Sequence, residues 1–374
     1  MAGLVKAKDY DWKDSNMELF GSSKDRQVKK ESAMTEKCWE PVGRATSPFL
    51  MVWRVNQFTL EPVPSDEIGN FYNGDSYVIC KATRSPGGDK LLYNVHFWIG
   101  KHSTADEYGT AAYKTVELDT FLDDAAVQHR EVEGYESQLF KSYFDKLVIL
   151  KVILKGGYAS GFRHVKPDEY RPRLLRFCKE GKTTYMRQVA FSKQSVHSGD
   201  VFILDLGSRA YQFNGSKCSA FEKSSAAAFL QDLESKRNGR CNTSVLDEAD
   251  TPQDVGVLHE FWTALPDVPV KELEPPKEVI KSLYKLSDSS GKLELTIVSE
   301  GSASKHDIKP DDVYIILTKE GLFVYIGKDC SVLEKRNALS NAHKFLQTCP
   351  NPFLPITVVT DEQAESFLKG IWDE

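Results

Sequence analysis

The chain has 374 residues, 41% hydrophobic, 27% charged and 11% aromatic, which excludes a largely disordered protein and supplies apolar side chains for two to four cores. A net charge of −6 at pH 7 gives no overall attraction for nucleic acid, so any anionic partner must meet a local patch. The opening MAGLVKAKDYDWKDSN lacks the apolar run of a secretory signal, and no window reaches the length and hydropathy of a membrane span. Seven cysteines, odd in number and scattered without a CxxC, read as free thiols in a reducing, cytosolic compartment.

In chain order, residues 1–45 read as an extension with one short helix. FYNGDSYVIC (71–80) then reads as a turn leading into a buried strand, and a second strand ends at HFWIG (96–100). The sequence TADE (104–107) fits a helix-opening capping box, and YESQLFKSYF (135–144) fits a closing amphipathic helix. The same series recurs as VHSGDVFILD (196–205), YQFNG (211–215) and SAFE (219–222). It recurs again as IKPDDVYIIL (308–317), VYIG (324–327), SVLE (331–334) and AESFLKGIW (364–372).

The spacing is regular. Gly100 to Glu107, Gly215 to Glu222 and Gly327 to Glu334 are each seven positions, and Asp200 to Glu222 and Asp312 to Glu334 are each 22. Asp75 to Glu107 is 32, the excess falling in a longer hairpin around Ser85–Lys90. The expected fold is α+β: three tandem domains, each a mixed sheet packed between a long and a short helix, at 46–162, 163–275 and 276–374. The Gly- and Pro-containing stretch 155–172 and the Pro-rich, acidic 265–278 mark the junctions. Residues 148–155, VILKVILK, are a tandem duplication that keeps strand alternation in phase.

No GxSxG, P-loop, HExxH or clustered Cys/His set is present, so the sequence reads as a binding protein and not an enzyme. The pairs Asp75/Glu107, Asp200/Glu222 and Asp312/Glu334 would each give calcium two carboxylates if the turn before the strand abuts the helix start. Each Glu also reads as a capping-box residue and each Asp as a turn former. In EYGTAAYKTVELD (107–119), Tyr108, Ala112 and Val116 share a stripe with Tyr113 beside it, which fits either a core face or a groove on a partner. Lys151, Lys155, Arg163, Lys166, Arg171, Arg173, Arg176, Lys179 and Lys182 concentrate near the first junction, as a solvated face or as a phosphoinositide patch.

FLMVWRVNQFTLEPVP (49–64), FYNGDSYVI (71–79), AVQHREVEGYES (126–137) and GGYASGFRHV (156–165) resemble the first-domain signatures of the gelsolin/villin family. Length and layout are most similar to severin, fragmin and the invertebrate three-domain gelsolin-like proteins. The resemblance implies a cytoplasmic, cytoskeletal, monomeric protein that severs actin filaments and caps their barbed ends under calcium control and is inhibited by phosphoinositides, the patch being Lys151, Lys155, Arg173, Arg176, Lys179 and Lys182. An actin-monomer-binding, phosphoinositide-responsive scaffold without severing is the alternative. Actin contact is implied for Asp106, Glu107, Tyr108, Gly109, Tyr113 and Val116, with the second domain on the filament side. Calcium is implied at the Gly74 carbonyl with Asp75, Glu107 and the Tyr158 carbonyl; at the Gly199 carbonyl with Asp200 and Glu222; and at the Asp311 carbonyl with Asp312 and Glu334. A further ion shared with actin maps to Asp119 and the carbonyls of Asp124 and Ala126, Asp124 standing where the family often has glycine. Val201 and Asn214 occupy the positions of the disulfide of secreted relatives, and no headpiece follows residue 374, which speaks against bundling.

Overall fold

A computed structural model describes residues 33–372 except 57, 86–87, 151–171, 181–182, 238–239, 250–254 and 271–278. Before the first repeat come a 3-10 turn at Lys37–Trp39 and helix α1 (Glu40–Arg44). The first repeat follows as β1 (Phe49–Asn56), β2 (Thr59–Pro62), β3 (Asn70–Tyr72), β4 (Ser76–Arg84), β5 (Leu91–Ile99), α2 (Ala105–Phe121), β6 (Ala126–Val132), α3 (Gln138–Lys141) and β7 (Lys146–Leu150). The second is β8 (Arg173–Glu180), β9 (Thr183–Val189), β10 (Val201–Asp205), β11 (Arg209–Asn214), α4 (Ala220–Lys236), β12 (Asn242–Asp247) and α5 (Val255–Ala264). The third is β13 (Ser282–Ser287), β14 (Glu294–Glu300), β15 (Val313–Leu317), β16 (Leu322–Ile326), α6 (Val332–Thr348), β17 (Ile356–Thr360) and α7 (Asp361–Phe367).

Each repeat has the same centre. An antiparallel pair, β4–β5, β10–β11 or β15–β16, leads into the long helix, and the chain returns in a strand parallel to the second, β6, β12 or β17. A helical crossover is what a parallel return requires. All three long helices open on the expected capping box, with Thr104, Ser219 and Ser331 accepting from the backbone N–H of Glu107, Glu222 and Glu334 while each Glu accepts from the cap backbone. β4 and β5 are nine residues each against five or six in the other repeats, which accounts for the longer first spacing.

The repeats do not keep their sheets to themselves. β17 pairs antiparallel with β6, joining the third and first repeats in one ten-stranded sheet. β7 and β3 of the first repeat instead join a seven-stranded sheet with the second, through β7–β9. Each long helix packs an apolar face on its own sheet: Ala111 and Leu118, Ala226 and Leu230, and Ala338 and Ala342 are buried. Trp39 and Val42, in the segment expected to be an extension, are buried in the first core, and Trp39 meets Trp53 edge-on with ring centroids 5.1 Å apart.

The closing helices are shorter than the sequence pattern predicts. α3 covers only 138–141, because Ser142 Oγ turns back to the Leu139 carbonyl and Phe140 and Phe144 enter the core from a turn. α7 begins early, at Asp361, and gives way before Gly370, whose φ of +84° suits the end of a helix. Of the duplicated VILKVILK, Val148–Leu150 belongs to β7, and 151–155 lies outside the described residues.

The invariant spacing from Gly to Glu has a steric basis. A Cβ on Gly100, Gly215 or Gly327 would lie 2.5, 2.4 or 2.3 Å from the carbonyl oxygen of Asn73, Ser198 or Pro310, so only glycine lets these backbones touch. Gly100→Ala is expected to lower stability by ~1–3 kcal/mol in denaturant unfolding. Gly109→Ala, mid-helix with nothing within 4 Å of a new Cβ, is expected to raise it by ~0.5–1 kcal/mol.

Candidate ion and partner-binding sites

Three identical hydrogen-bond sets hold the turn before the strand against the start of the helix. Gly100, Gly215 and Gly327 donate to the carbonyls of Asp75, Asp200 and Asp312 at 3.0, 3.0 and 3.2 Å. His102, Lys217 and Asp329 donate to Asn73, Ser198 and Pro310, each at 2.8 Å. The juxtaposition on which the carboxylate pairs depend is therefore built into the backbone. In the first repeat the link extends through side chains, with Ser76 Oγ 2.7 Å from Ser103 Oγ and Ser103 donating to Glu107 Oε2 at 3.1 Å. Asp75, Asp200, Asp312, Glu222 and Glu334 are buried, and Glu107 is half-buried.

A cation that the sequence pattern did not reveal stands at this site. Arg176 on β8 pairs with Asp200 at 2.5 Å and Lys285 on β13 pairs with Asp312 at 2.5 Å. They occupy one register position, Arg176 opposite Phe202 and Lys285 opposite Tyr314, two residues beyond the acid in each case. Arg54, opposite Tyr77, holds the same place in the first repeat and is ion-paired with Glu61. Burial pushes the Asp312 carboxyl up, but the hydrogen bond and charge of Lys285 outweigh it and leave it below its ordinary value. Glu222 and Glu334 each accept a further backbone N–H, from Lys179 and Asp288, both at 2.8 Å. The donor set, carboxylates with main-chain carbonyls, suits a hard divalent cation. Gly74, Gly199 and Asp311 stand next to the three acids in the chain, and Tyr158 lies outside the described residues.

Asp119 lies near the end of α2, buried, with Oδ1 accepting from Ala126 N at 2.9 Å and Oδ2 from Gln128 Nε2 at 2.7 Å. Burial pushes its carboxyl up to about 6. Asp124 adopts φ +61°, so the left-handed backbone that favours glycine is kept with an aspartate, a residue that tolerates it. Its carboxylate faces Lys335 of α6 at 3.2 Å, and Gln363 donates to the Ala125 carbonyl at 3.2 Å, so this corner abuts the third repeat.

The Tyr stripe of α2 is not core. Ala111, Thr115 and Leu118 face inward, whereas Tyr108, Tyr113 and Val116 are 37%, 56% and 45% exposed. Asp106 sits in the first turn and Gly109 borders the same face. Of the basic stretch, Arg173 pairs with Asp205 at 3.0 Å and Arg176 with Asp200, while Lys179 lies over the Phe221 ring at 4.6 Å. Lys151, Lys155, Arg163, Lys166, Arg171 and Lys182 lie outside the described residues.

The gelsolin-repeat sequence pattern matches residues 57–141, 182–254 and 295–367. Gelsolin-like protein 2 of Lumbricus terrestris is 43% identical over 358 residues, 95% of each chain, and gelsolin-like protein 1 of the same worm is 44% identical over 96% of each. The chain belongs to the gelsolin family. Villin-2 of Arabidopsis thaliana is 36% identical over 85% of this chain but 33% of its own length, so this gelsolin-family chain matches only a third of that larger relative. The mixed-sheet α+β repeats described above are the family's repeats.

Where β6 of this gelsolin-family chain meets β17, a buried network binds repeats one and three. His96 and His129 stack at 4.1 Å; His96 Nδ1 is 2.9 Å from Glu131 Oε1, and His129 reaches Thr357 at 3.1 Å and Asn94 at 2.9 Å. Every ring nitrogen has a partner, since His96 Nε2 meets Tyr143 OH at 3.0 Å, so the cluster reads as a satisfied core network. Burial pushes Glu131 up to about 7 and lowers His96 to about 3. The folded chain thus keeps a proton on Glu131 that the unfolded chain releases above its ordinary 4.5, and stability is lost as pH rises from 4.5 to 7. For His96 the unfolded chain binds the extra proton, so stability is lost as pH falls from 6.5 towards 3. The Tm of Glu131→Gln relative to wild type is expected to climb between pH 4.5 and 7; a constant offset in calorimetry would count against this assignment.

Proposed function

We propose that the chain severs actin filaments and caps their barbed ends under calcium control. One observation carries the reading: α2 fills its own core with Ala111, Thr115 and Leu118 and still offers Tyr108, Tyr113 and Val116 to solvent. A helix with a second apolar face is suited to seating in a partner's groove, and large aromatic side chains commonly dominate such contacts. Membership of the gelsolin family supports actin as the owner of that groove, with the second repeat on the filament side.

Two features support control by an ion. The third repeat stands beside the same face, held by β17–β6 and by Lys335–Asp124, so a filament subunit and the third repeat compete for α2. Calcium would be held by Asp75 and Glu107 with the Gly74 carbonyl, by Asp200 and Glu222 with Gly199, by Asp312 and Glu334 with Asp311, and by Asp119 with the carbonyls of Asp124 and Ala126. Once bound, it supplies positive charge that joins two carboxylates. In repeats two and three Arg176 and Lys285 already supply such charge, so the ion must displace a resident side chain there. An ion that favours the open arrangement shifts the population by its difference in affinity for the two states.

Loss of polymer from pyrene-labelled filaments, at protein far below actin, is expected to accelerate with calcium and not with chelator. Tyr113→Ala with Val116→Ala is expected to weaken the effect roughly tenfold or more. An equal rate in calcium and chelator would sink the regulatory claim, and an undiminished double variant would sink the helix assignment. In calorimetric titration with calcium, Arg176→Gln and Lys285→Gln are each expected to tighten one site by a few-fold to about tenfold, as removal of a competing ion pair requires. Unchanged or weaker uptake by both would show that these cations do not guard the acids.

A further inference from the structure

The ends of β8 and β13 reach both acids of their repeats. Arg176 and Lys285 pair with the acid of the turn. Three positions on, Lys179 and Asp288 each donate a backbone N–H at 2.8 Å to Oε1 of the helix acid, Glu222 in the second repeat and Glu334 in the third. The shared bond makes Lys179 and Asp288 structural equivalents. Their side chains carry opposite charge.

Lys179 Nζ lies over the ring of Phe221, the residue before Glu222, at 4.6 Å. The Asp288 carboxylate instead joins the capping box of α6: its Oδ2 accepts from Ser331 Oγ at 2.6 Å, and that hydroxyl accepts in turn from Glu334 N at 3.0 Å. Asp288 Oδ1 has no hydrogen-bond partner among the described residues. Ser287, beside it in the chain, hydrogen-bonds the Asp312 carboxylate. The end of β13 therefore spans the acid pair and brings a third carboxylate to it.

The two repeats thus differ in charge at matched positions. In the third, Asp288 joins Asp312 and Glu334 against Lys285. In the second, Lys179 joins Arg176 against Asp200 and Glu222, and His197 Nε2 stands 3.2 Å from Asp200 as well. Calcium takes six to eight oxygens, and its affinity follows the number of charged ligands and the rigidity with which they are held. Asp288, tied to the helix start by backbone and side chain, meets both conditions.

We propose that Asp288 is a third carboxylate ligand of the ion site in the third repeat, and that this repeat takes up calcium ahead of the second. The inference rests on the ion reading above and adds an order to it. Glu334 adjoins Lys335, which holds Asp124 of the first repeat at 3.2 Å, so the earlier ion arrives one residue from a contact that joins repeats one and three.

Calorimetric titration of the full chain with calcium is the test. Glu334→Gln and Glu222→Gln, whose amides still serve a capping box, are each expected to delete one class of uptake and so assign it. In wild type the class assigned to Glu334 is expected to be the tighter of the two. Asp288→Asn keeps the backbone N–H and an oxygen for Ser331 and removes only the charge; it is expected to weaken that class roughly tenfold or more, with Tm in chelator retained. Lys179→Asp is expected to tighten the class assigned to Glu222 by about tenfold. A tighter Glu222 class in wild type overturns the order, and a fall in chelator Tm with uptake unchanged in Asp288→Asn, as a merely structural aspartate predicts, overturns the ligand role. Should Asp288→Asn fail to fold, Lys179→Asp decides, and unchanged uptake there overturns the inference. Wild type without saturable calcium uptake overturns it together with the ion reading; uptake lost in Glu334→Gln but unchanged in Asp288→Asn overturns this inference alone.

Discussion

Three glycines carry the architecture. Where the backbone before the central strand crosses the backbone before the long helix, there is room for a hydrogen atom and nothing larger. That contact brings an acid from the turn towards an acid from the helix's first turn and fixes where each helix starts. The recurrent meeting of an acid-bearing turn with an acid-bearing helix start is thus a consequence of one close approach, repeated three times along the chain.

The features that survive in the sequence are those fixed by short, rigid spacing. Helix starts were legible because Ser or Thr, the capping Glu and the preceding Gly all lie within eight positions, a stretch in which no loop can vary. The three-repeat α+β plan followed from these. The cations paired with the turn acids were not legible. Arg176 and Lys285 precede their acids by 24 and 27 positions, across connections of different length, so register and not spacing aligns them. Nor does a strand's alternation say which edge it will meet: the pairing of β6 with β17 depends on two repeats approaching in space. The closing helices were over-read because an apolar pattern alone does not register Ser142 folding back on the backbone.

Charge is distributed along the same lines. The seam between repeats one and three buries His96, His129, Glu131 and Arg130 within one strand pair and its neighbour, an unusual density of titratable groups for a sheet interior. Among the described residues each is matched locally except for one nitrogen of Arg130. Burial of polar groups at a joint makes the joint specific, since a shifted register would strand them without partners. The apolar part of the same seam, where Val127 joins the cluster of Tyr314 and Val359, supplies area without that selectivity.

The two sheets respond differently to separation. Because β3 and β7 lie in the sheet of the second repeat while β6 lies in that of the third, the first repeat is stitched to both neighbours by backbone. Parting β17 from β6 would leave the seven-stranded sheet whole and turn β6 into a margin, freeing those backbone N–H and C=O groups between Gln128 and Arg130 that face β17 and not β5. Such a margin is a template for any extended chain that passes. Separation at this seam would therefore uncover more than a helix face: it would create a strand-accepting edge, one that the third repeat covers in the joined form.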